Sequence, residues 1–217
     1  MSYALNLLGS RAAPDLVFAT AVARGFRGIS PGLVDMSAFW HHGLYCGLIA
    51  RRLAKRCGIL HDERLLVAGM LHDIGQFALY RTQPALAAEA LIEADNNDSG
   101  MLRAEREIFG YTHAEIGGAL LRAWELPESL AAIPRHHHAP QEAGEHRLES
   151  AIMHIAGSMA NRIEPGRKIL ACRQEIEPRA WEITGLTPPQ ADLALDEANQ
   201  EVLDGLELLL PGKPLLP

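Results

Sequence analysis

The ten histidines are the residues of this 217-residue chain whose types and spacing could do chemistry. Imidazole nitrogens and carboxylate oxygens are the usual protein ligands of zinc, iron and manganese, and several of them must converge to hold one ion. The candidates fall in four places along the chain: His41-His42, His72-Asp73, His113 and His136-His137-His138. This set predicts a metal site, provided that the fold brings the four places together.

The pair His72-Asp73 is the strongest of these candidates. It follows the apolar residues 68–71, and an aspartate there would be costly to bury without a partner. Adjacent helical residues point about 100° apart, so both side chains can face one ion only at a helix end. Gly75 gives the chain the freedom to turn there. We therefore expect a metal site, or a former one, at this pair.

The other histidines have simpler explanations beside the metal hypothesis. His61, His146 and His154 are each expected to be core or surface residues satisfied by a hydrogen bond. The triple histidine would also fit a solvated basic loop. One of His41 and His42 must point away from the other, because they are neighbours on a helix.

The elements that must position these residues are helices. Aromatic residues make up only 6%, and no long alternation of Val, Ile and Thr is present. Apolar residues recur instead at spacings of three and four, which predicts an all-α bundle. The motif Thr112-x-x-Glu115 is typical of a helix start. Asp62 is expected to cap another helix, and Pro134 is expected to end or kink the helix before the triple histidine. Helices are predicted over residues 13–26, 35–58, 62–75, 84–94, 101–109, 112–124, 127–134, 143–163 and 191–210.

Composition excludes several functional classes. A net charge of −7 argues against binding of duplex nucleic acid by phosphate neutralisation. No apolar run reaches the roughly 18 residues needed to cross a bilayer, and the N-terminus lacks a basic signal-peptide region. The cysteines Cys46, Cys57 and Cys172 are too few and too scattered for a disulfide framework or a zinc ribbon. These features predict a soluble, cytoplasmic, globular protein with reduced thiols.

Five segments in order resemble the HDOD family, the HD-related output domain of bacterial signalling proteins. The family is an offshoot of the HD metal-dependent phosphohydrolases. The resemblance covers about residues 3 to 163 and implies a helical bundle of HD-domain type. The five segments are Phe39-Trp40-His41-His42, Ala68 to Gly75, Glu105 to Gly117, Trp124-Glu125-Leu126-Pro127 and His137-His138-Ala139-Pro140.

The resemblance assigns roles to the metal-ligating candidates. His42 matches the first histidine of the HD pattern, because the family reads Trp-x-His, and His72-Asp73 match the pair that names the superfamily. The additional histidines of a second metal site correspond to His113, His137 and His138. A divalent iron, manganese or zinc ion is implied, with Asp73 as the catalytic carboxylate. In active relatives the metal activates water for attack on phosphorus.

Departures from the pattern count against a typical HD-GYP phosphodiesterase. The closing aspartate of the HD motif is replaced by Gly157, the phosphate-steadying lysine by Gln76, and the HD-GYP glutamate by Ala38. The loop after His138 contains no Asp-Gly-x-Gly-Tyr-Pro. Loss of a carboxylate ligand predicts weaker metal binding, although histidines still suit a softer ion.

The resemblance also implies a domain organisation. We expect an HD-like domain over residues 1–165 and an extension over 166–217 that carries an amphipathic helix. The family's usual N-terminal helical segment would precede the part matched by residues 4–9, so we expect either that the sequence is truncated or that the protein dispenses with this segment. Its absence would leave an apolar face open, to be covered either by the leucines of residues 206–216 or by a homodimer.

Three functions are open at this point. The first is a signalling output module with a partly degenerate metal site, which binds a signalling protein in trans or a small regulator. The second is an active metal-dependent phosphohydrolase that acts on a nucleotide or phosphodiester. Its cationic contact to the substrate would be Arg135, although that residue would also fit an ordinary surface arginine. The third, a haem or oxygen-sensing bundle with an axial histidine, has no motif behind it.

Overall fold

The computed structural model of the chain describes Ile29 and residues 33–94, 98–163 and 176–209, apart from the side chains of Ser37, Asp98, Ser99 and residues 203–209. Over these ranges the protein is all-α, as predicted. The helix predicted over residues 13–26 lies outside them. The helices are α1 (Met36–Arg56), α2 (Glu63–Leu71), α3 (Ile74–Thr82), α4 (Pro84–Glu93), α5 (Asp98–Phe109), α6 (His113–Ala123), α7 (Glu128–His136), α8 (Arg147–Ala160), α9 (Pro178–Thr184) and α10 (Pro188–Leu209).

The helix predicted to break near Gly75 ends at Leu71 instead. His72 is the C-cap of α2, and Asp73 has φ −100° and ψ 14°, outside helical geometry. A separate helix, α3, then begins at Ile74. The His-Asp pair therefore occupies a junction between two helices, the position that lets neighbouring side chains face one point.

Other boundaries differ from prediction for local reasons. The helix predicted from residue 143 begins at Arg147, after short 3₁₀ turns at Pro140–Glu142 and Gly144–His146. Gly144 has φ +58°, a left-handed conformation that an α-helix cannot contain. Pro134, predicted to end or kink α7, lies inside that helix. The short helix α9 was not predicted.

Asp62, predicted to cap α2, makes no side-chain capping hydrogen bond although it occupies the N-cap position. Its buried carboxylate lies 3.6 Å from both Arg51 Nε and Lys55 Nζ of α1. The predicted capping box at the start of α6 is confirmed, with the Thr112 hydroxyl accepting from the Glu115 backbone N–H. This cap fixes the first turn of α6, where His113 is located.

The core is centred on α8, in which every residue from Ser150 to Ala160 is buried. A helix that is buried all round has neighbours on every side. It packs against α1 through side chains that include Leu48 and Ile152. The helix α10 joins the same core through Ala191, Ala194 and Ala198, whose spacing places them on one face.

A second apolar cluster fixes α3 against α1 and α6. Phe77 of α3 is fully buried, and its ring centroid lies 3.9 Å from that of Phe39. Ile74 and Leu121 complete the contact between α3 and α6. The aromatic residues beside His42 thus serve as packing, and they hold the His-Asp junction in place.

Glycines allow the helices around the junction to touch backbone to backbone. A Cβ added at Gly69 of α2 would lie 2.2 Å from the backbone nitrogen of Gly47 on α1. A Cβ added at Gly75 of α3 would lie 1.9 Å from the carbonyl oxygen of His113 on α6. Real Cβ atoms do not approach so closely, so these crossings require glycine. Among the described residues, none of the helices is both long and apolar enough to span a bilayer.

The Gly47–Gly69 contact yields a stability prediction. Gly69→Ala forces α1 and α2 apart and should destabilise the metal-free protein by about 1–3 kcal/mol. Gly157→Ala is the matched control, because it also lies within a helix but an added Cβ meets nothing within 4 Å. The control should be neutral or up to about 1 kcal/mol more stable. Equal denaturant midpoints for the two variants would contradict the packing account.

Candidate metal centre

A pocket of about 40 Å³ lies where α1, the α2–α3 junction, α6, α7 and α8 meet. A water molecule needs roughly 10–15 Å³ by the same measure, so the pocket has room for an ion and a few waters. The scattered histidines of the sequence converge there. Its lining consists of His42, His72, Asp73, Gln76, Met101, His113, His137, His138, Met153, His154, Gly157 and Asn161.

The Asp73 carboxylate is the centre of this cluster. Its Oδ1 lies 3.3 Å from His137 Nε2 and 3.5 Å from His113 Nε2, and its Oδ2 lies 3.2 Å from His72 Nε2. His138 Nε2 lies 3.0 Å from His113 Nε2. Ligand atoms of Asp73, His113, His137 and His138 are all within 4.8 Å of one another. One divalent ion could contact all four.

The rings of His72, His137 and His113 are each oriented by a hydrogen bond from Nδ1, the nitrogen that faces away from Asp73. His72 Nδ1 lies 2.7 Å from the Gly69 carbonyl oxygen, and His137 Nδ1 lies 2.7 Å from that of Pro134. A carbonyl only accepts, so both Nδ1 atoms carry hydrogen, and the neutral ring keeps a lone pair on Nε2. This outer-shell arrangement is typical of metal-ligating histidines.

The helix ends explain why these two rings are oriented alike. His72 and His137 are the C-cap residues of α2 and α7. The last carbonyls of a helix lack intrahelical partners, and each C-cap ring donates to the carbonyl three residues before it. One local rule thus positions one ligand from each of two helices.

His113 is oriented by a carboxylate. Glu105 Oε2 accepts from the backbone N–H of His113 at 2.8 Å and lies 2.7 Å from its Nδ1. Glu105 is only 2% exposed. It satisfies an unpaired N–H at the start of α6, where a negative charge is favourable. The sequence assigned no role to Glu105, although it begins one of the segments that resemble the family.

The charges of the cluster balance without an ion. Burial would raise the pKa of Asp73, but the imidazoles of His72, His113 and His137 hold that pKa well below its usual value. Burial would lower the pKa of His113, but Glu105 and Asp73 outweigh it and raise the pKa to about 10. Burial dominates at His137 and lowers its pKa to about 4, and it lowers the pKa of His138 as well. A protonated His113 would therefore supply the positive charge that offsets Asp73 and Glu105 when no ion is bound.

Two further observations fit a metal ion. His137 Nε2 is a buried atom without a hydrogen-bond partner, because it and the facing Asp73 oxygen are both acceptors when Nδ1 carries the hydrogen. An unsatisfied buried acceptor is costly, and a bound cation would remove the cost. The donor set of imidazole nitrogens and one carboxylate suits zinc, iron or manganese.

The departures predicted from the sequence have structural counterparts. Gly157 lines the pocket, and a Cβ there would meet nothing within 4 Å, so the space for a carboxylate is open and unfilled. Gln76 also lines the pocket, and its Oε1 accepts from Tyr80 at 3.1 Å. Neither side chain replaces the charge of the residue implied by the family pattern.

Arg135 does not lie in the pocket. Arg135 precedes His137 by two residues on α7, is exposed, and packs beside Gly118 of α6. Residues two positions apart on a helix point about 200° apart around its axis, so Arg135 faces away from the pocket when His137 faces into it. Among the described residues, neither lysine nor arginine lines the pocket. His41, half-buried beside Tyr45, is also outside it, whereas its neighbour His42 is in the lining.

Two more residues complete the surroundings. His154 Nδ1 lies 2.8 Å from the His137 carbonyl oxygen, and its Nε2 accepts from the Glu177 backbone N–H at 3.0 Å. It has the partners predicted for a hydrogen-bonded core histidine. Cys46, one helical turn after His42, lies with its Sγ 3.3 Å from His42 Nε2. From the sequence, Cys46 was predicted only to be a reduced thiol.

An all-α bundle with a His-Asp pair at a helix junction, facing histidines from three further helices, defines a helical domain of the HD type. The chain belongs to the HDOD domain family, whose family model matches residues 1–140. This confirms the resemblance noted in the sequence.

The chain is similar to solved structures and to a relative found by sequence. A solved structure from Shewanella amazonensis SB2B, named as a candidate phosphohydrolase, has a TM-score of 0.70 and 25% identity over 94% of this chain and 75% of that one. One from Marinobacter aquaeolei VT8, named as a candidate signal transduction protein, has a TM-score of 0.68 and 18% identity over 90% of this chain and 43% of that one, which shows the fold alone. A relative from Treponema pallidum (strain Nichols), described as uncharacterized, is 28% identical over 159 residues, 65% of this chain. The chain matches 28% of that relative's length.

The role of Glu105 yields a prediction with two readouts. Glu105→Gln removes the charge that supports His113 and should lower the His113 pKa from about 10 in chelator-treated protein. His113 should remain protonated through pH 8 in the parent, measured by NMR of the imidazole nitrogens, and should titrate at lower pH in the variant. Zinc affinity should fall roughly 10- to 100-fold, as for other outer-shell changes.

The control for this prediction is Glu107→Gln, an exposed glutamate on the same helix. It should leave both readouts unchanged. An unaltered His113 titration in Glu105→Gln would show that Glu105 does not set the charge of this ring.

Proposed function

We propose that this chain is a signalling output module that binds a divalent transition metal at its HD-type site and acts by binding a signalling protein in trans or a small regulator. The observation that carries the metal site is the convergence of three Nε2 atoms on the Asp73 carboxylate. The proposed ligands are His42, His72, Asp73, His113, His137 and His138. Iron, manganese and zinc fit this nitrogen-rich set with one carboxylate.

The lining of the pocket favours the signalling role over catalysis. A phosphate ester carries negative charge, and hydrolases stabilise that charge with positioned cations. The described lining contains no lysine or arginine, and the position expected to hold a further carboxylate ligand is Gly157. The site thus has donors for an ion but few groups for an anionic substrate.

The second candidate is a metal-dependent phosphohydrolase acting on a nucleotide or phosphodiester. It is favoured by the two oxygens of Asp73, which face different histidines and so suit a pair of ions. A protein named as a candidate phosphohydrolase also shares the fold at 25% identity. Bound metal ions would supply activated water for attack on phosphorus. In this hypothesis Asp73 holds the metal, Gln76 and Asn161 donate to the substrate, and Arg135 contacts only a substrate that extends beyond the pocket.

The partner side of the proposal rests on the domain arrangement. The site belongs to the proposed domain over residues 1–165, and the proposed extension over 166–217 packs on α1 through α10. Arg52 and Arg56 of α1 donate to Glu201 and Glu197 of α10 at 2.7 and 2.9 Å. A signalling protein or a second copy of the chain is the partner class that we propose.

Metal content is the first test. Tag-free protein purified without nickel should contain close to one or two equivalents of iron, manganese or zinc by elemental mass spectrometry. Content well below one equivalent after reconstitution would contradict the metal site. The loaded protein is then assayed against nucleotides and phosphodiesters. Turnover that disappears with chelator would replace the signalling proposal by the hydrolase.

Removal of a ligand should remove the metal and the stability that it adds. His72→Ala and Asp73→Ala should each lose bound metal and melt at lower temperature, because metal binding to the folded state adds to its stability. The difference should reach about 2.7 kcal/mol at a free metal concentration 100 times the dissociation constant. The exposed His61→Ala is the control and should keep its metal. Parent-like metal content in both ligand variants would refute the assignment.

Restoring the missing carboxylate should strengthen binding. Gly157→Asp places an oxygen donor in open space beside the cluster and should lower the dissociation constant for zinc or manganese at least about tenfold. Gly157→Asn has nearly the same shape without the charge and serves as the control. Equal affinities for the two variants, measured by competition with a chelating dye, would count against Gly157 as the place of the lost ligand.

A further inference from the structure

A second set of possible ligands lies next to the Asp73 cluster, on its α1 side. It consists of His42, Cys46 and His72, whose ligand atoms all lie within 4.8 Å of one another. All three residues are buried, with Cys46 at 0% exposure. The motif-based site includes His42 and His72 but contains no cysteine. We propose that the Cys46 thiolate is a metal ligand, which completes an ion site with His42 and His72.

The helical spacing brings the two α1 ligands together. Residues four apart on a helix lie on the same face, so His42 and Cys46 project side by side towards α2. The Cys46 Sγ to His42 Nε2 distance is 3.3 Å. A tetrahedral zinc ion with bonds of about 2.3 Å to sulfur and about 2.05 Å to nitrogen separates its ligand atoms by about 3.6 Å. The pair needs to open by only a few tenths of an ångström to bind.

His72 supplies the third ligand from the opposite helix. Its ring centroid lies 5.3 Å from that of His42. Its Nδ1 is held by the Gly69 carbonyl, which leaves Nε2 for an ion. The Gly47–Gly69 backbone contact between α1 and α2 sets this separation. The ligands therefore sit on rigid elements, and with three protein ligands the ion would keep a fourth position open for water.

The chemistry of the donors determines which metals this set takes. A thiolate with two imidazoles is softer than the histidine–aspartate set implied by the family. It favours zinc or ferrous iron over manganese and magnesium, which prefer oxygen. The missing carboxylate at Gly157 acts in the same direction, because it removes a hard donor. This inference rests on the proposed metal site and narrows its metal preference.

Cobalt substitution tests the inference on the full chain. Co²⁺ bound by sulfur gives an intense near-ultraviolet charge-transfer band that nitrogen and oxygen ligands do not give. We expect the band in the parent and in Cys57→Ser/Cys172→Ser, and its loss in Cys46→Ser and Cys46→Ala. Cys57 is a suitable control because it lies just past the end of α1, and the ten helical residues from Cys46 to Arg56 already span about 15 Å.

Two measurements on the same proteins complete the test. In gently destabilised Cys57→Ser/Cys172→Ser protein, bound zinc should protect Cys46 from alkylation. The variant Cys46→Ser should bind zinc at least about tenfold more weakly, whereas its affinity for manganese should change less. Bound cobalt without the charge-transfer band would overturn the cysteine ligand and leave the histidine–aspartate site intact. Failure to bind any metal would overturn both proposals.

Discussion

The contacts between the Asp73 carboxylate and the imidazoles around it hold the pocket together. Asp73 lies where the backbone leaves helical geometry between α2 and α3, and its two oxygens face rings from three helix termini. A carboxylate buried this far is costly without hydrogen-bonding or cationic neighbours. The rings in turn need it, because burial opposes their charge. The helices that carry these groups are therefore coupled, and a change of charge at one side chain shifts the pKa values of the others.

This cluster can form only because the helices approach closely. Backbone contacts at Gly47–Gly69 and between Gly75 and His113 bring α1 to α2 and α3 to α6. A side chain at either crossing would push the ligand-bearing helices outward. Interiors are close-packed, so such a displacement has no soft way to relax. The glycines at these helix crossings, Gly47, Gly69 and Gly75, therefore matter to the site as much as the histidines do.

The fold class could be predicted because residue type and order are visible in the chain, and so could the histidines that line the pocket and the open space at Gly157. Glu105 could not be, since it stands among charged neighbours such as Arg106 and Glu107 that the sequence assigns to solvent. Only the fold, which brings the Glu105 carboxylate to the first turn of α6, turns that one side chain inward. Arg135 shows the opposite case. Proximity to the triple histidine in sequence pointed to the site, but the helical rotation between residues 135 and 137 places it outside.

The balance of donors and charges gives the proposed function a physical basis. A lining rich in imidazole and without lysine or arginine among the described residues binds a cation better than an anion. An ion bound at His113 Nε2 would displace the proton from that nitrogen while Nδ1 keeps its hydrogen bond to Glu105. The binding free energy of the ion would be added to the contacts that join α2, α6 and α7. Occupancy would then change the rigidity of the bundle rather than the bonds of a substrate. Under the proposed function, the presence of the ion would reach a partner through the surfaces of these coupled helices.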